Sequence, residues 1–371
     1  MTTTASVFRS IACWTSLIPL LLWGPALPAN EPPARLPRTN LMVFHDPRGE
    51  VRPVRSKAEW KCRRAEILRG MQAVMGPLPG KAKRCCLDVR VEQEQDCDAY
   101  RRRLLTYESE PGSRVPAYLL IPKVARGARQ KFPAVLALHP TDMEYGHRVV
   151  VEKLRDNYRA YAHDLAERGF VVLAPAYPIM ANYHPDLKAL GYESGTMKAI
   201  WDNLRGLDLL DALPQVKHGH YGAIGHSLGG HNAIFTAVFD PRIKVVVSSC
   251  GFDSFLDYYG GDEANWQAGR GWCQTRYLPR LAEYRGRLAD IPFDFHELIG
   301  ALAPRTVFIN APLGDTNFRW RSVDEVVRSA SPVFALYGVR PNLRVEHPDG
   351  PHDFPEAIRA QAYVLLEAKL K

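Results

Sequence analysis

Gly225-His226-Ser227-Leu228-Gly229-Gly230 decides how the rest of this chain is read. The hexapeptide stands between a short apolar run, Tyr221-Gly222-Ala223-Ile224, and a small-residue segment of helical character, Leu228 to Phe239. A strand that turns sharply into a helix at a serine lifts the hydroxyl clear of a sheet, and the bend strains that residue's backbone. Side chains two positions before or after it would collide with their neighbours, and Gly225 and Gly229 remove them. Gly230 and Ala233 let the helix lie close on the sheet. The helix start aims its unpaired N–H groups and positive dipole end at the hydroxyl. The stretch therefore predicts a nucleophilic Ser227.

Outward from this bend, continuous apolar runs alternate with helical patterns. Pro133 to Leu138, Phe170 to Pro175, Ile243 to Val247 and Thr306 to Ile309 read as strands buried on both faces, and Leu343 to His347 as the last strand. Helical periodicity marks Leu154–Arg168, Thr196–Leu213 and Pro355–Leu370. This alternation predicts an α/β fold with a mainly parallel central sheet and helices on both faces. Earlier in the chain, Lys57–Met75 reads as a helix ending at Gly76-Pro77. Leu87–Val91, Arg102–Tyr107 and Val115–Ile121 read as strands, the last two joined at Glu110-Pro111-Gly112-Ser113. Residues 30–60 lack periodicity and read as a linker or surface arm. Between the strands ending near Ser249 and starting near Thr306, residues 251–304 hold Tyr258, Tyr259, Trp266, Trp272, Tyr277 and Tyr284. A connection that long is usually functional, here a cap-like insertion whose aromatics of 258–284, Trp266 and Trp272 foremost, would wall a substrate site.

The chain's 371 residues carry a net charge of +8, from 48 basic and 40 acidic side chains. The two signs are interleaved, so no basic stripe for nucleic acid is present. Arg9, the apolar run of about 13 residues from Ile11 to Trp23, and the small residues up to Ala29 have the form of a secretory signal peptide, the run being too short to span a bilayer. The expected organisation is a signal peptide at 1–29, an N-terminal arm with helix and cysteine cluster at 30–99, and a catalytic domain at 100–371. The protein is expected to be secreted or periplasmic, with no membrane partner. In an oxidising compartment Cys62, Cys85, Cys86 and Cys97 predict at least one disulfide before residue 100, with Cys250 an inert strand-end thiol and Cys273 the sixth of the set.

A serine hydroxyl needs a base to take its proton, and that base needs an orienting carboxylate. His352, in Pro351-His352-Asp353-Phe354-Pro355, lies between the last strand and the last helix; His347 reads as a strand-end residue. Asp315 follows the penultimate strand and is the favoured acid. Asp253, after the preceding strand, is the alternative, and Asp324 reads as the first turn of a helix. The oxyanion would be held by the N–H of Leu228 and, because Pro140 has none, by the N–H of Thr141 in His139-Pro140-Thr141-Asp142. His139 reads as a brace for that turn, and His226 and His231 as scaffold hydrogen-bonders. His218-Gly219-His220 has no acidic or cysteine partner at ligand spacing and no phosphate-cradling glycine motif occurs, so neither a metal nor a cofactor is expected.

Taken in chain order, Leu138-His139-Pro140-Thr141, Gly225 to Gly230, Gly314-Asp315 and His352-Asp353-Phe354-Pro355 resemble the α/β-hydrolase superfamily, nearest its dienelactone hydrolase and acetyl xylan esterase branch. The resemblance covers about residues 100–371 and implies an α/β-hydrolase fold with Ser227 as nucleophile, Asp315 as acid, His352 as base and no cofactor. Two departures stand out: His-Pro where His-Gly is commoner in the oxyanion loop, and the length of 251–304. The expected function is hydrolysis of a carboxylic ester, such as an acyl or acetyl ester of a carbohydrate, through an acyl-enzyme. The alternatives are a prolyl oligopeptidase-type peptidase, disfavoured because no propeller-sized domain precedes the hydrolase region, and a non-catalytic binding protein.

Overall fold

The apolar runs of the sequence become neighbours in a nine-stranded sheet. A computed structural model describes residues 34–123, 130–154 and 159–371. The predicted signal peptide lies outside the described residues. A small antiparallel hairpin, β1 (Val43–His45) and β2 (Val51–Pro53), precedes helix α1 (Lys57–Met75). The sheet then gathers β3 (Arg90–Asp96), β4 (Tyr100–Glu110), β5 (Ser113–Pro122), β6 (Phe132–Leu138), β7 (Val171–Pro175), β8 (Val216–His226), β9 (Ile243–Ser249), β10 (Thr306–Asn310) and β11 (Leu343–Glu346). Helix α2 (Tyr161–Glu167) precedes β7, α3 (Gly195–Ala212) precedes β8, and α4 (Leu228–Phe239) follows it. Helices α5 (Phe295–Ala301), α6 (Trp320–Leu336) and α7 (Glu356–Leu370) complete the set.

The spatial order is β11-β10-β9-β8-β6-β7-β5-β4-β3. Strands β11 through β7 of that order run parallel, and β5, β4 and β3 add on antiparallel. Successive residues of β6 divide between the two faces: Ala134, Leu136 and Leu138 join one buried cluster and Val135 and Ala137 the other. Helices α1, α3, α4, α5 and α6 cover the first face, and α2 and α7 the second. The parallel strands thus end along one edge, and the loops after β6, β8, β9, β10 and β11 gather there, where such sheets bind their ligands.

Local chemistry sets several boundaries where the sequence placed them. Ser56 caps α1 by accepting from the Glu59 N–H, and Gly76 ends the helix at φ 86°. The turn at Glu110–Ser113 joins β4 to β5 as expected. Other elements differ. The strand expected at Leu87–Val91 is β3 at Arg90–Asp96, exposed along its whole length. It is an edge strand with no apolar alternation to announce it. The helix expected over 154–168 is α2, Tyr161–Glu167, and residues 155–158 lie outside the described set.

Residues 35–60 carry the β1–β2 hairpin and are tied into the compact unit formed by Arg35–Lys371. Leu36, Leu41, Phe44 and Val54 are buried. Arg38 pairs with Asp294 at 2.6 Å and Arg35 with Glu297 at 3.0 Å, at the capped start of α5. The expected disulfide is absent: Cys62, Cys85, Cys86, Cys97, Cys250 and Cys273 all carry free thiols. Cys62 sits on the exposed side of α1, Cys85 and Cys86 in the segment before β3, and Cys97 in the β3–β4 turn, so different elements hold them apart.

Candidate active site

The strand-to-helix bend has the strain its sequence requires. Ser227 sits at φ 55°, ψ −123°, a conformation rare for any residue with a side chain. Its N–H donates to the Ser249 carbonyl at 2.8 Å and its carbonyl accepts from His231 at 3.1 Å, so both neighbouring elements hold the bend. A β-carbon on Gly225 would stand 2.1 Å from the Gly229 carbonyl carbon, and one on Gly229 would stand 1.9 Å from the Leu138 carbonyl oxygen. Gly230 likewise lies against Ser248 and Ser249. Leu228 opens α4, where amides have no helical acceptor.

Two loops from the neighbouring strands converge on the serine. The β10 loop and the β11 loop are zipped together by backbone bonds, Leu313 N–H to Pro348 O at 3.0 Å and Gly314 N–H to Gly350 O at 2.9 Å. Across this joint His352 Nδ1 donates to Asp315 Oδ2 at 2.8 Å. Asp315 is buried, and its other oxygen accepts from the amides of Asn317 (2.8 Å) and Phe318 (3.1 Å), which fixes the carboxylate's orientation. Behind them His226 Nδ1 meets Ser249 Oγ at 3.0 Å, and Asn310 Nδ2 donates to Ser249 Oγ at 2.8 Å and to Asp353 O at 2.9 Å. Arg159 reaches Asp353 from the other side at 2.9 Å.

Asp253 does not touch His352. Its carboxylate accepts from the Arg319 N–H at 3.1 Å, and burial holds it well above the usual carboxylate range. His347 bridges Ala311 O at 2.7 Å and Asp324 at 2.9 Å, a loop brace. His139 donates from Nδ1 to Pro140 O at 2.8 Å and accepts the Tyr177 N–H at 3.0 Å on Nε2. Burial pulls its pKa down to about 4, so it braces the loop after β6 as a neutral ring. The expectation fails for His231, whose two ring nitrogens are buried with no hydrogen-bond partner. It is stacked between Phe235 (4.0 Å) and Trp272 (4.3 Å) like one more aromatic.

Ser227 opens onto two adjoining cavities. One, of about 300 Å³, is lined by His352, His226, Arg159, Glu152 and Asp142 together with Thr141 and Asn317. The other, of about 370 Å³, is lined by Leu228, Tyr258, Tyr259, Trp272, Tyr277 and Phe318, again with Thr141 and Asn317. Residues 251–304 thus supply much of the second wall. Of the two tryptophans expected there, Trp272 lines the cavity. Trp266 does not: it is fully buried, edge-on to Phe255 at 5.8 Å and to Tyr258 at 6.0 Å. It packs in the insertion's own core, which is where a large apolar ring without a ligand goes. Outside the aromatic run of 258–284, the sequence reading missed Asn317, Arg159 and Phe318. Tyr258, Tyr259 and Tyr277 carried a signal as members of that run. Cys250, Asp315 and His352 bring a sulfur, an oxygen and a nitrogen within 4.8 Å of one another, the donor types zinc accepts.

The fold, and a strained Ser227 at the strand ends, define a class: the chain belongs to the α/β-hydrolase superfamily, among its ester-hydrolysing enzymes. A family model described as glucuronyl esterase of fungi matches residues 183–338. The chain is 25% identical over 315 residues to YtaP of Bacillus subtilis (strain 168), named as a hydrolase, covering 82% of this chain and 99% of that protein. Its fold resembles a glucuronoyl esterase from Solibacter usitatus, with a TM-score of 0.68 and 19% identity over 93% of this chain and 99% of that one. It also resembles a promiscuous CE15 esterase from the marine bacterial metagenome, with a TM-score of 0.68 and 17% identity over 92% and 98% of the two chains.

Proposed function

We propose that this protein hydrolyses carboxylic esters of carbohydrates through an acyl-enzyme on Ser227. One observation carries the reading: the 2.8 Å bond from His352 Nδ1 to Asp315, made beside the cavity that Ser227 also lines. That bond leaves His352 Nε2 as the basic nitrogen on the cavity side. Ser227 Oγ attacks the ester carbonyl as its proton passes to Nε2, and Asp315 steadies the imidazolium that forms. The N–H groups of Leu228 and Thr141 receive the oxyanion. The intermediate collapses by breaking the bond to the alcohol oxygen, which takes the proton from His352. Water, deprotonated by the same nitrogen, then releases the acid and restores Ser227.

The two cavities give the substrate a direction. His352 lines the first and not the second, and the leaving oxygen must lie within its reach. The alcohol half therefore belongs in the polar cavity and the acid half in the aromatic one. About 370 Å³ walled by aromatic rings suits a sugar ring far better than an acetyl group, and the glucuronoyl esterases whose fold this chain shares are named for an acid half that is a sugar acid. We take the substrate to be an ester of a sugar acid, met outside the cytoplasm after removal of residues 1–29.

A fluorophosphonate probe tests the chemistry and an ester panel the substrate. The probe is expected to label the protein and not Ser227→Ala. Among a hexuronic acid methyl ester, acetylated xylose, p-nitrophenyl acetate and an aminoacyl amide, the hexuronate ester should give the highest kcat/KM. Labelling that survives Ser227→Ala, or a preference for the amide, overturns the reading.

A further inference from the structure

We propose that Tyr259 is a specificity-determining residue, a platform at the rim of the aromatic cavity on which the ring of the substrate's acid half stacks. The proposal rests on the sugar-acid reading and adds the residue that enforces it. Five aromatic side chains line the cavity, and four of them are committed elsewhere. Tyr258, Trp272, Tyr277 and Phe318 are all no more than 8% exposed and spend their faces on each other, as in the Trp272–Tyr277 (5.4 Å) and Trp272–Phe318 (6.2 Å) contacts. Tyr259 is 44% exposed. Its ring meets the Tyr258 ring at 4.7 Å and 71°, an edge-to-face contact.

The backbone under Tyr259 is built to hold it there. Tyr259 lies at φ 46°, ψ 38°, in the left-handed region that a bulky side chain rarely enters. Gly260 and Gly261 follow at φ 77° and 78°, and the Gly260 N–H closes the turn on Asp257 O at 2.6 Å. The Arg319 guanidinium lies over Gly260 so closely that a β-carbon there would stand 2.6 Å from Nη2. A glycine at 259 would take this conformation without strain, yet a tyrosine occupies it with nearly half its surface in water. Strain of this kind persists where a site uses the side chain it displays. The geometry supplies the use: an open aromatic face beside Ser227, on the acid-half side. Pyranose rings present a face of C–H bonds that packs flat on such a ring.

The test compares two esters on the intact protein, the hexuronate methyl ester and p-nitrophenyl acetate, whose acid half is too small to reach the rim. Tyr259→Ala is expected to raise KM for the hexuronate ester about tenfold with kcat within twofold, and to leave p-nitrophenyl acetate hydrolysis unchanged. Tyr259→Phe, which keeps the ring, should behave as wild type. Tyr259→Gly should lose affinity like the alanine variant while keeping or raising the thermal midpoint, since it relieves the left-handed strain. An unchanged hexuronate KM in Tyr259→Ala overturns the platform and leaves the sugar-acid reading standing. An equal fall on both esters overturns it as well, because it marks a structural role. If the wild-type protein cleaves p-nitrophenyl acetate and not the hexuronate ester, both readings fall together.

Discussion

The bend at Ser227 and the insertion at 251–304 face each other across one cavity, and they are specified in opposite ways. At the bend, every residue choice answers a collision within a few ångströms: Gly225 against Gly229, Gly229 against Leu138, Gly230 against Ser248. Such constraints are local, so the hexapeptide betrays the geometry even without the rest of the chain. In the insertion, Phe255, Tyr258, Trp266 and Trp272, with Phe318 from the loop after β10, form a mesh of edge and stacked contacts in which any ring resembles any other. What each does depends on which face looks inward, and that is decided by distant partners. Chemistry here is written in short steric rules and specificity in packing.

The largest expected effect tests the chemical side. Asp315→Asn removes the acceptor that fixes the His352 tautomer, and kcat should fall about 10⁴-fold. Asp253→Asn should cost less than tenfold, because Asp253 bonds the Arg319 amide and not the imidazole. Steady-state kinetics on p-nitrophenyl acetate decides it. Comparable losses in both variants would mean that the two acids share the role.

The same contrast explains how much could be read in advance. The ends of α1 and α4 and the Glu110–Ser113 turn followed from caps, glycines and turn residues in the immediate sequence. Strand β8 runs from Val216, although only Tyr221–Ile224 looked like a strand, because its first half is the polar Lys217-His218-Gly219-His220 and is mostly exposed. The meeting of Asp315 and His352 could be anticipated because chain order and loop position single them out. Arg159, Asn317 and Phe318 could not be, since nothing in their neighbours shows that they line a cavity. The disulfide failed for the same reason: cysteines close in sequence were assigned a proximity that α1 and the β3–β4 hairpin deny them.

Trp266 sharpens the comparison from the other side. Its burial predicts that Trp266→Ala destabilises the protein by about 3–5 kcal/mol, as large-to-small changes in aromatic cores do. Well below the melting temperature, kcat/KM should stay within twofold. Chemical denaturation and kinetics on one preparation check both. A variant of full stability but impaired turnover would return Trp266 to the substrate wall.

His231 lies where the two regions touch, on α4 and against Trp272. Burial pulls its pKa down to about 3, while the unfolded chain protonates it near 6.5. The unfolded state therefore binds the extra proton, so the stability His231 contributes is intact above pH 6.5 and is lost as pH falls toward 3. At pH 5 this amounts to about 2 kcal/mol. His139 and His147, at about 4 and about 3, add their own losses in the same direction. His231→Phe keeps the stack and removes the titration. Urea midpoints at pH 5 and pH 8 should lie closer together in the variant than in wild type, and an unchanged gap would show that His231 is charged in the folded protein.

Tyr277 gives the smallest effect and the most direct link between the regions. Its hydroxyl is 2.9 Å from Thr141 Oγ1, so the insertion holds the loop of the proposed oxyanion donor by one hydrogen bond. The same segment is anchored at its other side, where the Thr196 N–H donates to Tyr277 O at 3.2 Å and the Gly195 N–H to Thr275 O at 2.9 Å. A loop carrying an oxyanion donor must be held to a fraction of an ångström, and its proline at 140 leaves one fewer amide to help. Tyr277→Phe keeps the ring packing with Tyr177 and Trp272 and deletes only the hydroxyl. A neutral hydrogen bond contributes about 0.5–1.5 kcal/mol, so kcat should drop roughly 2- to 13-fold. KM should hold, since the loss falls on the transition state's oxyanion and not on ground-state binding. If KM rose while kcat stayed constant, Tyr277 would belong with Tyr259 as a substrate contact, and the insertion would shape specificity without reaching the chemistry.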